Sequence, residues 1–142
     1  GQYDFVLVDC PPALGLLTVN ALAAADALLV PVQCEFYAME GLGRLMQTVE
    51  MVRKSLNPSL AVEGILLTLF DGRNNLHKQV AEEIHKHFPG KVFKAVIPRN
   101  IRLAEAPSHG APVLMYDVAS TGAQAYLSLA KEVLAHAKKG AR

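Results

Sequence analysis

The chain has 142 residues, 51% of them apolar and 19% charged, with a net charge of +1, a composition that fills one buried core and excludes an intrinsically disordered chain. A balance this close to neutral excludes binding to nucleic acid through bulk charge alone, so any such role must rest on local clusters of cations. The apolar stretches are interrupted by Asp26, Pro31 and Gln33 or fall well short of the roughly 20 residues a membrane span requires, and Gly1-Gln2-Tyr3-Asp4 lacks the pattern of a secretory signal, which predicts a cytosolic chain without a membrane anchor.

Tyr3 to Asp9 (YDFVLVD) is rich in β-branched and aromatic residues and is halted by Cys10-Pro11-Pro12, which predicts a buried strand ending in a loop. Leu16 to Ala25 favours helix, and Asp26 to Val32 (DALLVPV) reads as a strand covered on both faces. From Met39 onward, Leu42, Leu45, Met46, Val49, Val52 and Leu56 recur at three- and four-residue steps and define one helical face, ended by Asn57-Pro58. Val62 to Phe70 predicts a third strand and Asn74 to Phe88 a helix facing inward through Leu76, Val80, Ile84 and Phe88. Lys91 to Ile97 predicts a fourth strand. A polar loop carrying Pro98, Pro107, Gly110 and Pro112 leads to a last helix from Gly122 to Ala137, with the basic tail Lys138 to Arg142 fraying beyond it. The alternation of strand and helix predicts a single α/β domain over residues 1–142, a parallel sheet with helices making the crossovers.

In open α/β sheets ligands bind beyond the carboxyl ends of the strands, which directs attention to four loops. Asp9-Cys10-Pro11-Pro12 follows an apolar run; an Asp so placed serves a nucleotide hydrolase by holding Mg²⁺ or its bound water, or else accepts backbone N–H groups in a turn. Gln33-Cys34-Glu35-Phe36-Tyr37 brings polar and aromatic groups out of a buried strand together, with Glu35 also suited to a helix N-terminus. In Asp71-Gly72-Arg73-Asn74-Asn75, a turn and a helix cap account for every residue except Arg73, which is left to contact an anion. Ile97 to Gly110 concentrates Arg99, Asn100 and Arg102 on a proline-restricted backbone, a set suited to phosphate or base recognition, the blander alternative being a solvated charged loop.

Other chemistries fit less well. Cys10 and Cys34 lack CxxC spacing and predict reduced, packed thiols. The histidines form no HExxH motif or i,i+4 pair, and Ser108-His109 stands outside any GxSxG elbow, which argues against a histidine metal site and a serine hydrolase.

YDFVLVDCPPALGLLTVNAL, PVQCEFYAMEGL, LLTLFDGRNNL and VIPRNIRLAEAPSHG, in that order, resemble the ParA/Soj family of deviant Walker-A partition ATPases. The resemblance covers the chain from Tyr3 to Val133 and implies a P-loop NTPase-like fold. Nothing in the chain matches the glycine-rich loop KGGxGK followed by Ser or Thr with which such proteins begin and whose backbone N–H groups and lysine cradle the phosphates. The resemblance therefore implies the C-terminal part of a nucleotide-binding domain, unable to bind ATP tightly by itself, whose first strand lacks its sheet neighbours.

By the same resemblance, Asp9 is the Walker-B-like catalytic Asp, supporting Mg²⁺ from beyond its direct ligands, and Cys10-Pro11-Pro12 is the switch loop. Pro98, Arg99 and Asn100 surround the adenine of ATP, and Glu105, Ala106 and Pro107 continue along the nucleotide edge. Gln33 and Glu35 face a dimer partner, while Arg73 and Arg102 contact duplex DNA without sequence preference once ATP has driven homodimerisation. The implied whole is a slow, cytoplasmic, nucleoid-associated ATPase for chromosome or plasmid partitioning, stimulated by a ParB/Spo0J-type partner. Two alternatives stand beside it: a noncatalytic DNA-binding or interaction module, and a MinD-like membrane-associated regulator. The latter is opposed by His136-Ala137-Lys138-Lys139-Gly140, which lacks a bulky apolar face.

Overall fold

The computed structural model describes residues 2–11 and 15–140, the side chains of 138–140 excepted. Its elements in chain order are α1 (Leu16–Ala24), β1 (Ala27–Gln33), α2 (Ala38–Ser55), β2 (Ala61–Phe70), α3 (Asn75–His87), β3 (Val92–Pro98), α4 (Ile101–Glu105), a 3₁₀ turn (Ala106–His109), α5 (Val113–Tyr116) and α6 (Thr121–Gly140). The three strands form one sheet in the order β1-β2-β3, and both pairings are parallel, as an alternation of strands and helices requires.

Central strand β2 is buried through its middle, Gly64 to Leu67, with side chains packed on both faces, which is why that stretch carries no polar residue. Ile65 and Leu67 meet Val30 and Val32 of β1, Leu42 of α2 and Val80 and Ile84 of α3. Leu66 points the other way, into Phe93, Ala95 and Ile97 of β3 and Leu129 of α6. Helices α2 and α3 thus cover one face of the sheet and α6 the other. A third cluster joins Leu22 of α1 to Val49 and Val52 of α2. There the Nδ2 of buried Asn57 donates to the carbonyls of Leu22 and Ala25 at 3.0 and 2.8 Å, so this residue ties α1 to the end of α2 as well as stopping the helix.

Several expectations are corrected. Tyr3 to Asp9 forms no strand; it runs exposed, with Val6 at 82% and Leu7 at 92%, because a strand exists only through a partner's hydrogen bonds and none of the described strands pairs with it. Leu56 and Leu76 stand exposed at the margins of their helical faces. The segment after Pro98, read as a loop, is largely helical. Asn100 caps α4 by accepting the Arg102 N–H at 2.9 Å, Pro107 is the second residue of the 3₁₀ turn, and Gly110 closes it at φ 61°, so the residues that mark loops here mark helix ends. The last helix continues to Gly140. Pro12 of the Cys10-Pro11-Pro12 loop, the side chains of Lys138 and Lys139, and Ala141 and Arg142 lie outside the described residues.

The sheet is irregular at its carboxyl end. Its β2–β3 register shifts between Leu67 and Phe70, and Leu69 takes φ 49°, a left-handed conformation that costs a side-chain-bearing residue about 1–2 kcal/mol. This bulge sets the course of Phe70 and Asp71 as they enter the next loop.

Candidate functional site

Because all three strands run parallel, Gln33, Phe70 and Pro98 end at the same side of the sheet, and the loops that follow them converge. A cleft of about 700 Å³ opens there, lined by Gln33, Glu35, Tyr37, Asn74, His77 and Arg99 among others. The rings of Phe36 and Tyr37 meet edge to face at 5.1 Å and both are exposed. Pro98 lies opposite Phe70 in the ladder, and the Arg99 N–H donates to the Phe70 carbonyl at 3.1 Å, which fixes the backbone from which Arg99 reaches the cleft. The cleft therefore offers a guanidinium, amides, an imidazole and aromatic faces, groups able to bond and stack on a planar heterocycle.

His77 escaped sequence reasoning. It is buried, and its Nδ1 accepts the backbone N–H of Asp71 at 3.0 Å. The available signal is its spacing of three residues before Val80, which places it on the inner face of α3.

Arg73, predicted to be left for an anion, instead grips its neighbour. Its Nε and Nη2 reach the two carboxylate oxygens of Asp71 at 3.1 and 3.0 Å, and its own N–H donates to Oδ1 at 2.9 Å. The Arg73 hydrogen bonds hold the Asp71 carboxyl down to a pKa of about 2, and the same pairing pushes the Arg73 guanidinium up. The Arg73 side chain is 93% exposed, so it still faces solvent.

A second cluster surrounds α4. Asn100 is engaged at both ends of its amide, the Oδ1 by its cap and the Nδ2 by Thr121 Oγ1 at 2.7 Å. Arg102 Nη1 donates to Glu105 Oε2 at 2.9 Å, its Nε lies 3.3 Å from Asp117 Oδ2, and the Glu105 hydrogen bond raises its pKa. Tyr116 donates its hydroxyl to the same Glu105 oxygen at 3.2 Å and stacks on His109 at 4.9 Å. Pro107 is exposed on the neighbouring turn.

The structure thus brings Gln33, Glu35 and Arg99 to one cleft and joins Arg102 to Glu105 beside it. Asp9 lies on the exposed opening segment, and among the described residues no hydrogen bond or ion pair links it to these loops. Cys34 is buried, and burial pushes its thiol up, whereas Cys10, expected to be packed, is exposed on the same exposed segment as Asp9. Among the described residues no three His, Cys, Asp or Glu side chains gather as a metal site would need, and no helix is long and apolar enough to cross a membrane.

Comparison with known proteins gives concordant results. Residues 1–62 match a family model described as an AAA domain. The chain is 59% identical to the sporulation initiation inhibitor protein Soj of Bacillus subtilis, over 95% of its own length and 53% of that protein. It is also 59% identical to the chromosome partitioning protein ParA of Caulobacter vibrioides, over 94% of this chain and 50% of that one. The chromosome-partitioning ATPase Soj of Thermus thermophilus is 53% identical over 96% of this chain and 55% of its own. The chain spans about half the length of the curated relatives it matches. Among solved structures, the cobyrinic acid a,c-diamide synthase of Mycobacterium smegmatis with bound ATP analogue and magnesium superposes with a TM-score of 0.78 at 35% identity, over 99% of this chain and 50% of that one. The cell division ATPase MinD of Pyrococcus furiosus gives a TM-score of 0.73 at 26% identity, over 93% and 52%.

Proposed function

Because this chain is a homologue of the ParA/Soj partitioning ATPases over 95% of its length, we propose that it forms the C-terminal part of a single nucleotide-binding domain that hydrolyses ATP to partition a chromosome or plasmid. The observation that carries this reading is the 59% identity to both Soj and ParA, and the convergence of the strand-end loops on one cleft supports it.

In this proposal the cleft receives the adenine end of the nucleotide. Pro98, Arg99 and Asn100 border the base, with Glu105 and Pro107 along the same edge, and Gln33 and Glu35 face a second copy of the protein. The chain's own groups suit the base end; the phosphate cradle belongs to a glycine-rich loop supplied by sequence outside these 142 residues. ATP with Mg²⁺, when bound, supplies the phosphoryl group and the charge neutralisation that its transfer needs. Asp9 would support that ion from beyond its direct ligands. Arg73 and Arg102 give the dimer a sequence-independent, salt-sensitive hold on duplex phosphates, and a ParB/Spo0J-type partner stimulates hydrolysis. The protein acts in the cytoplasm, on the nucleoid.

The test is to read the coding region upstream of Gly1 over about 110 codons, the usual size of a whole α/β nucleotide-binding domain being the guide. An in-frame strand followed by a glycine-rich lysine loop is expected, and in the full-length product Asp9→Ala should abolish ATP hydrolysis. Unrelated sequence at that position overturns the ATPase reading and leaves a noncatalytic DNA-binding module. Undiminished hydrolysis by the Asp9→Ala protein overturns the role given to Asp9.

A further inference from the structure

Three contacts fasten α4 to the start of α6. Asn100 Nδ2 donates to Thr121 Oγ1 at 2.7 Å. Gly122 lies so close to Leu103 that a Cβ there would meet the leucine Cγ at 2.6 Å. Arg102 reaches Glu105 at 2.9 Å on its own helix and Asp117 at 3.3 Å on the segment before α6. The guanidinium therefore sits between two carboxylates, and the group of three carries a net charge of −1 at neutral pH.

Both carboxylates are anchored independently of Arg102. Asp117 Oδ1 accepts the Ser120 N–H at 3.1 Å, and Glu105 Oε2 accepts the Tyr116 hydroxyl at 3.2 Å. Arg102, on a flexible stem and 47% exposed, is the partner able to move. A phosphate approaching it must share donors already engaged and must also approach a fixed anion, which lowers its affinity by Coulomb repulsion.

We propose that Asp117 is a positioning residue that competes with duplex phosphate for Arg102, holding the DNA affinity of this face below what its cations alone would give. This rests on the reading that Arg102 contacts DNA. Removing one negative charge about 8 Å from a phosphate corresponds to about a two- to threefold gain for each chain engaged, so about four- to tenfold for a dimer at low salt.

The experiment measures binding of the full-length gene product to a random-sequence duplex by fluorescence anisotropy across a NaCl series, with the Asp117→Asn, Arg102→Ala and double variants. Asparagine keeps an oxygen for the Ser120 N–H and replaces the charged oxygen that faces Arg102 with an uncharged NH₂ group, which cannot hold the guanidinium. Asp117→Asn is expected to bind several-fold tighter at low salt, with a gain that shrinks as salt rises and vanishes when Arg102 is alanine. If Asp117→Asn melts early, Asp117→Ser, which retains a short acceptor, reads the same gain. Should Arg102→Ala bind like the parent, the DNA role of Arg102 fails and this inference with it. Should Arg102→Ala weaken binding while neither Asp117 variant strengthens it, or should the gain survive in the double variant, the competition is overturned and the DNA role stands.

Discussion

The Nδ1 of His77 accepts the backbone N–H of Asp71 at 3.0 Å, so a buried ring on α3 holds the turn that follows β2. The same ring lies 6.0 Å from that of Phe70. Truncation by His77→Ala leaves both a cavity and an orphaned N–H, and should lower stability by about 2–4 kcal/mol in urea denaturation. His77→Asn, whose Oδ1 can stand where Nδ1 stood, should lose clearly less. A His77→Ala protein within about 0.5 kcal/mol of the parent would show that the bond does not hold the turn.

Arg73 and Asp71 predict a titration. The Arg73 hydrogen bonds depress the Asp71 carboxyl to about 2, and a depressed acid contributes stability above the ordinary carboxylate range that is lost as pH falls through its folded-state value. Carbon-detected NMR of the Asp71 carboxyl should therefore show a midpoint near 2, returning toward the usual range in Arg73→Ala. Global stability should change little between the two proteins, because Arg73 stands in water and screening weakens the pair. An Asp71 midpoint that ignores the Arg73 substitution would rule out the pairing in solution.

What the sequence made legible follows from which interactions are local. The apolar run around Ile65 to Leu67 announces a central parallel strand because both faces are covered, and the Leu42–Val49–Val52 spacing announces the inner face of α2 because helical period is written in consecutive residues. Pairing is not local: Tyr3 to Asp9 has strand composition and no strand. Proline and glycine mark boundaries without saying which side is ordered, and the helices after Asn100 went unread for that reason. The ion pairs show the same division. Asp71 and Glu105 stand two and three residues from their arginines and were open to inspection, whereas Asp117 meets Arg102 only through the packing of α4 on α6.

Gly64 predicts a sensitivity that composition hides. A Cβ at this buried position would meet Phe93 Cε2 at 2.6 Å, and Phe93 is itself buried and stacked on His136 at 5.7 Å, so the ring has little room to withdraw. Gly64→Ala should cost about 1–3 kcal/mol through overpacking. Pairing it with Phe93→Leu, which frees the volume, should make the double variant more stable than the sum of the two single losses predicts. Strict additivity in thermal melts would mean that the close approach is relieved elsewhere.

Glu132 on α6 supplies the last prediction, at the edge of the sheet. Between Val92 and Val96 the strand β3 advances four residues while β2 advances only from Ile65 to Leu67, so the ladder is interrupted there. The Glu132 carboxylate takes up the slack, accepting the Lys94 N–H at 2.9 Å and the Ala95 N–H at 2.7 Å. Glu132→Ala should cost about 1–3 kcal/mol by leaving these donors without an acceptor, and Glu132→Gln should also destabilise, since one of its two terminal atoms is a donor facing a donor. The distinguishing readout is native-state hydrogen exchange: the Lys94 and Ala95 amides should lose protection beyond the global change, while the Ile65 amide, bonded to the Lys91 carbonyl at 2.7 Å, follows global unfolding. If all three amides change together, Glu132 stabilises the protein through packing and charge rather than by completing the edge of β3.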